Sequence, residues 1–320
     1  MATALEDLTN IEFHEKVGQG GFGSVKRVTF KLPYMGYGEA AAKCVFDLCD
    51  KEVDIMSKLK HPNIVTLLGF CQTGPADFIL MEFASRGSLK DYLSDLSKSL
   101  NYDLMKKWAQ ESAVAIEYLH KCNFLHRDIK PHNCLLFEDN LLKLCDFGLA
   151  REMVHSQSTS SQKGTFRYMA PEVLKGNDKG RPVYSKPADI YSYGMLLLEI
   201  CTRKQPFDGL EWQQIIFELG TGKLPHIPED CPVDMADMIR RCWNQDPKRR
   251  PVIGSIVGGR HFRCNLECII FGNWGSDRNL CLTVKSKQTK KQNHGASRQL
   301  TISIYKGSLI SWLCLIPCNV

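Results

Sequence analysis

Up to about Asp103 the apolar positions fall in short, β-branched runs separated by glycine turns, a pattern that predicts strands with one helix near Lys51–Leu59. The spacing then changes. Between Leu104 and Lys121, Leu104, Trp108, Ala115, Tyr118 and Leu119 recur at roughly helical intervals, and helical patterning dominates from there to Asn244. Ala188–Thr202 is apolar on most sides, which predicts a buried central helix. A small β-rich part followed by a larger helical part puts a ligand in the cleft between them. There are no internal repeats. Ser156–Lys163 is polar, serine-rich and aperiodic, as expected of a mobile loop.

Composition narrows the class. The chain has 320 residues, 43% hydrophobic and 24% charged, which suits a globular two-lobed protein with a full core. The net charge of +6 misleads until it is located: residues 258–320 carry nine Lys/Arg against Glu267 and Asp277, a local +7 that leaves residues 1–257 at −1. The main body therefore offers no nucleic-acid surface. No apolar run approaches the ~20 residues of a membrane span, and the acidic start, 1–10, does not read as a secretory signal. Fourteen cysteines without a CxxC pair suggest reduced thiols in the cytoplasm rather than disulfides or zinc.

Candidate chemistry begins at Val17. Gly18, Gly20 and Gly23 stand in GxGxxG spacing, with Val25 two residues on. Glycines let backbone N–H groups approach phosphate oxygens without a Cβ in the way. The dinucleotide-binding fold uses the same spacing but must open a helix. Here Ser24–Phe30 is alternating and β-branched, so a hairpin folded over phosphates fits better; a plain glycine turn is the blander alternative. Lys43 ends a later strand, and Glu52 follows on a helix. A lysine that grips phosphates needs such a carboxylate to fix its long side chain.

The strongest signal is His126-Arg127-Asp128-Ile129-Lys130-Pro131-His132-Asn133, followed by Asp146-Phe147-Gly148 and Ala170-Pro171-Glu172. On these motifs the chain resembles eukaryotic protein kinases from about Phe13 to Ile256. The resemblance implies an α+β, two-lobed fold with ATP and Mg2+ as cofactors and protein substrates as partners. It also implies residue roles. Asp128 would take the hydroxyl proton and Lys130 would face the moving phosphoryl group, while Asn133 and Asp146 would hold magnesium through hard oxygens. Adenine would lie between Val25 and Ala41 above and Leu135 below, against backbone at Glu82-Phe83-Ala84, with Met81 at the rear. Phe147 would stack with Met56, Leu67 and His126. Asp189 would hold the catalytic-loop backbone, and Glu172 and Arg250 would form a buried ion pair. Cys145, before Asp146, reads as an inert thiol facing the cleft.

Lys130 and Thr165 resemble the serine/threonine rather than the tyrosine enzymes. Among serine/threonine enzymes, His61-Pro-Asn-Ile-Val65 and Arg241-Cys-Trp are similar to the tyrosine-kinase-like group, nearest to kinases that head mitogen-activated cascades. Ser156, Ser158, Thr159, Ser160 and Ser161 are candidate activating phosphosites, with Arg127 as the cation that would receive the phosphate. The expected division is an extension over 1–10, a kinase domain over 11–257 (N-lobe 11–83, C-lobe 84–257), and a basic, cysteine-containing tail over 258–320 that is poorly ordered. The interval from Lys43 to Glu52 is short, and the final helix begun by Val252, Ile253, Ile256 and Val257 should stop at Gly258-Gly259. That truncated helix keeps a rival reading, an inactive kinase-fold scaffold.

Overall fold

The computed structural model describes residues 9–20, 23–32, 36–45, 50–73, 76–147, 151–152, 165–176, 182–259, 268–269, 280–288 and 298–306. Strands β1 (Thr9–Gly20) and β2 (Gly23–Leu32) form an antiparallel hairpin whose last pair is Gly20 opposite Gly23. A strand, not a helix, therefore follows the glycine loop. Strands β3 (Gly36–Val45), β4 (Leu67–Thr73) and β5 (Ala76–Glu82) complete a five-stranded antiparallel sheet in the order β1-β2-β3-β5-β4.

Register decides what each face of this sheet carries. Val25 lies opposite Lys43, Lys43 opposite Ile79, and Ala41 opposite Met81, so these five side chains share one face. The alternate positions Val28, Phe30, Ala40, Ala42, Phe78 and Leu80 pack together on the other face. Helix α1 (Asp50–Lys58) presents Glu52, Ile55 and Met56 inward, all buried.

The second lobe is built on helices. α2 (Leu89–Ser94) starts with a capping box between Ser88 and Asp91, and α3 (Tyr102–Lys121) is capped by Asn101. Short strands β6 (Phe124–Leu125), β7 (Cys134–Leu136), β8 (Leu142–Leu144) and β9 (Arg151–Glu152) follow, pairing as β6-β9 and β7-β8. α4 (Pro171–Lys175), α5 (Lys186–Thr202), α6 (Trp212–Gly220), α7 (Val233–Cys242) and α8 (Ile253–Val257) complete the lobe. α5 is buried continuously from Ala188 to Ile200, as its all-round apolar pattern predicts. At Gly194 a Cβ would stand 2.7 Å from Cys242 Cβ and 2.8 Å from the Trp243 ring, so glycine is what lets α7 lie this close to α5.

Among the described residues two backbone connections join the lobes, beside side-chain pairs such as Lys43–Asp146. One is the segment after β5. The other is a parallel bridge from Ile64 to Leu144, where Val65 N–H donates to Leu144 O and Leu144 N–H to Asn63 O, both 2.9 Å. α8 does end at Val257, capped by Gly258, with Ile253 and Ile256 buried. Residues 263–320 form a separate compact unit. Its described backbone is a three-stranded antiparallel sheet of β10 (Cys268–Ile269), β11 (Leu280–Gln288) and β12 (Arg298–Lys306) in chain order. Among the described residues no helix is long and apolar enough to cross a membrane.

Candidate active site

The shared face of the sheet delivers Lys43 to the cleft. Its Nζ lies 2.7 Å from Glu52 Oε1 and 2.9 Å from Asp146 Oδ1, joining β3, α1 and the loop after β8 in one ionic triad. Lys43 and Glu52 are 5% and 3% exposed, so this is no ordinary surface pair. Burial works against the charge on Lys43, but Asp146 and Glu52 outweigh it and push its pKa up to about 12. Burial raises the Glu52 carboxyl, with Lys43 opposing. Gly23 closes the roof: a Cβ there would meet Cys44 O at 2.0 Å, and its φ of +143° lies where side chains are strained.

Below the triad, Lys130 Nζ donates to Asp128 Oδ2 at 2.7 Å. Asn133 Nδ2 donates at 2.8 Å to both the Asp128 carbonyl and Asp128 Oδ2, leaving Asn133 Oδ1 as an acceptor. The loop is fixed from beneath by α5. Asp189 Oδ1 accepts the Arg127 amide at 2.9 Å, and Oδ2 accepts the His126 amide at 3.1 Å and contacts His120 Nε2 at 2.8 Å. Burial alone would raise the Asp189 carboxyl, yet His120 and the Arg127 amide more than compensate, and its pKa is lowered. These bonds also hold strain. Arg127 (φ 68°) and Asp146 (φ 64°) are left-handed non-glycine residues, a conformation costing on the order of 1–3 kcal/mol each.

Val25, Ala41 and Met81 share a side of the sheet with Lys43, and Leu135 lies in β7 between buried Cys134 and Leu136. Glu82 differs from a simple hinge residue. Its N–H donates to Thr66 O, and its carboxylate accepts Lys143 Nζ at 2.6 and 2.7 Å and Thr66 N–H at 2.8 Å. The side chain thus locks the strand end to β8. Ala84 follows within the same segment, and Gly18 and Gly20 lie in the β1 hairpin arm; Val17 is 44% exposed.

Phe147, fully buried, sits 5.4 Å from the His126 ring, with Met56 in the same core cluster and Leu67 against it. Arg250 makes a bidentate pair with Glu172, Nη1–Oε1 2.6 Å and Nη2–Oε2 2.8 Å. Burial pushes the Cys145 thiol well up, as suits an inert group. The five hydroxyls from Ser156 to Ser161 and the Thr165 side chain lie outside the described residues. Tyr184 packs on the Arg127 guanidinium at 4.7 Å.

Sequence reasoning missed several supports. Arg167 donates to the carbonyls of Pro206, Phe207 and Leu210, Phe166 stacks on Trp212, and buried Glu199 receives Lys90 and Tyr168. Two surface concavities lie elsewhere, of about 710 Å³ beside Tyr102 and Asp234 and about 420 Å³ beside Phe83 and Phe137. The convergence of buried charges marks the site.

A family model described as protein tyrosine and serine/threonine kinase matches residues 11–259. The chain is 32% identical over 319 residues to mitogen-activated protein kinase kinase kinase 7 of Drosophila melanogaster, covering 97% of this chain and 45% of that protein. It is 34% identical over 253 residues to mitogen-activated protein kinase kinase kinase 12 of Rattus norvegicus, covering 79% and 28%. It is 36% identical over 261 residues to dual specificity protein kinase shkC of Dictyostelium discoideum, covering 77% and 50%. The chain thus spans half or less of the length of these relatives.

Proposed function

Because the chain belongs to the protein kinase family, we propose that it transfers the terminal phosphate of ATP to serine or threonine hydroxyls of protein substrates. The observation that carries this reading is the convergence of Lys130 and Asn133 on the Asp128 carboxylate, at 2.7 and 2.8 Å, together with the Lys43–Glu52–Asp146 triad.

Asp128 accepts the proton as the substrate hydroxyl attacks the γ-phosphorus and the bond to the leaving diphosphate breaks. Lys130, already against Asp128, stabilises charge on the phosphoryl oxygens, while Lys43, fixed by Glu52, holds the neighbouring phosphates. The residues fit a magnesium ion. Asp146 and Asn133 offer a carboxylate and an amide oxygen, both hard ligands, and among the described residues no cluster of three His, Cys, Asp or Glu side chains forms a cage. Held there, such an ion would neutralise charge on the phosphate oxygens.

By likeness to the two mitogen-activated protein kinase kinase kinases, the substrates are downstream protein kinases; the compartment that suits cysteines without a CxxC pair is the cytoplasm. Against the inactive-scaffold reading, which the short α8 kept open, Lys43 is in contact with Asp146 and Asn133 with Asp128. The test is transfer from labelled ATP with magnesium to a cascade kinase and to a generic basic protein, followed by phosphoamino-acid analysis. Label on serine or threonine that Asp128→Asn abolishes supports the reading. Label on tyrosine alone, or none from a folded, ATP-binding chain, overturns it.

A further inference from the structure

The start of α5 grips the residue ahead of Asp128 at two points. Asp189, in the first turn of the helix, accepts the Arg127 amide at 2.9 Å. Just before Ser185, the N-cap of the same helix, Tyr184 sets its ring against the Arg127 guanidinium, 4.7 Å from the ring centroid. Arg127 is 7% exposed, and Tyr184 packs against the main core cluster. A guanidinium suits an aromatic face because it is planar, delocalised and weakly hydrated, and the attraction grows as water is excluded. Burial raises the Tyr184 pKa, so the ring meets the cation as a neutral phenol.

Arg127 needs this double hold. Its φ of 68° is a left-handed conformation, and such strain persists only where the surroundings over-determine it. The next residue is Asp128, on whose carboxylate Lys130 and Asn133 converge. A rotation of the Arg127 backbone would therefore swing Asp128 away from those partners. The bond to Asp189 fixes the residue at its amide, and the stacked ring fixes the far end of its side chain. Two anchors set an orientation where one would leave it free to turn.

We propose that Tyr184 is a positioning residue for the transfer step, holding through Arg127 the backbone conformation that presents Asp128 to the substrate hydroxyl. This rests on the reading of Asp128 as the proton acceptor. Tyr184 acts on Arg127 and not on the reacting atoms. The ring face does the holding, so phenylalanine serves in its place and leucine does not.

The experiment compares the wild-type chain with Tyr184→Phe and Tyr184→Leu. It measures single-turnover transfer from ATP and magnesium to a generic basic protein, ATP affinity, and thermal melting. In Tyr184→Leu the rate per bound ATP should fall about 10–100-fold while the Kd for ATP stays within about twofold. Tyr184→Phe should keep the wild-type rate within about threefold. A merely structural role would lower the melting temperature and the fraction of chains that bind ATP, with the rate per bound ATP unchanged; that result overturns the proposal. So does a Tyr184→Phe chain as slow as Tyr184→Leu. A second measurement needs neither a variant nor phosphoryl transfer. In the nuclear magnetic resonance spectrum of the wild-type chain, the ring current of Tyr184 should move the Arg127 Nε–H proton upfield of the exposed Arg240 and Arg249. An Arg127 resonance among the exposed arginines overturns the contact itself. Absence of transfer from the wild-type chain would instead overturn the proposed function, and the resonance would still decide the role of Tyr184: in Tyr184→Leu it should return downfield, and the Asp128 amide should shift with it.

Discussion

At the upper end of the cleft, Lys43 holds both Glu52 and Asp146 by charge, and each of the three stands on a different element. Below it, Asp128 and Asn133 sit on a loop whose backbone is hydrogen-bonded to Asp189 of a helix buried almost throughout. The difference is one of what must move to break each half. The upper half fails if α1 alone shifts, because Glu52 goes with it. The lower half fails only if the core around α5 opens. A cleft built this way has one face that is set by folding and one that a small displacement can switch.

Five substitutions, the last read against pH, test the two halves, from the largest effect downward. Asp128→Asn keeps the size of the side chain but removes the proposed proton acceptor; kcat should fall by about 10²–10⁴-fold with the melting temperature nearly unchanged. Single-turnover kinetics beside a thermal melt would check it. Asp189→Ala strips two amides and His120 of their buried acceptor and should destabilise the fold by about 3–5 kcal/mol, read as a lower urea midpoint. If the loss appeared instead as slower catalysis at full stability, the lower half would not be core-anchored.

Glu52→Gln leaves Lys43 its second partner, Asp146, and should cost roughly tenfold in kcat/KM for ATP, whereas Lys43→Met should cost roughly a hundredfold. A double-mutant cycle measures their coupling. The smallest effect is in pH. His61 Nδ1 accepts the Asn63 amide and its ring stacks on Tyr118 at 4.8 Å, and burial lowers its pKa to about 4. Protonation is then easier in the unfolded chain. The contribution is complete above the unfolded value near 6.5 and is lost as pH falls from there toward 4. With the ring half-exposed, the effect is about 1 kcal/mol or less after screening. Urea midpoints at pH 7 and pH 5 should converge in His61→Gln.

The comparison also explains what the sequence disclosed. Lys43, Asp128, Asn133 and Asp146 were legible because their chemistry needs particular residue types at short, ordered spacings. α5 was legible because a helix apolar on all sides must be buried. The Glu82–Lys143 lock was not, since its partners are 61 residues apart and a lone Lys/Glu pair carries no periodic signal. Nor was the Lys90–Glu199 pair, separated by 109 residues, or the grip of Arg167 on three carbonyls, which is written in backbone geometry rather than in residue type. Glu52 lay between these cases: the four-residue step from β3 to α1 left its pairing open until the register of β3 turned Lys43 toward it.

The Asp189 contacts set a clock as well as a shape. The amides of His126 and Arg127 end on a carboxylate inside α5, so they meet solvent deuterium only when that helix is released. Local fraying of the lobes does not expose them. Their exchange should therefore track the global opening of the domain, staying at the slowest limit while the β1–β2 hairpin trades its protons early.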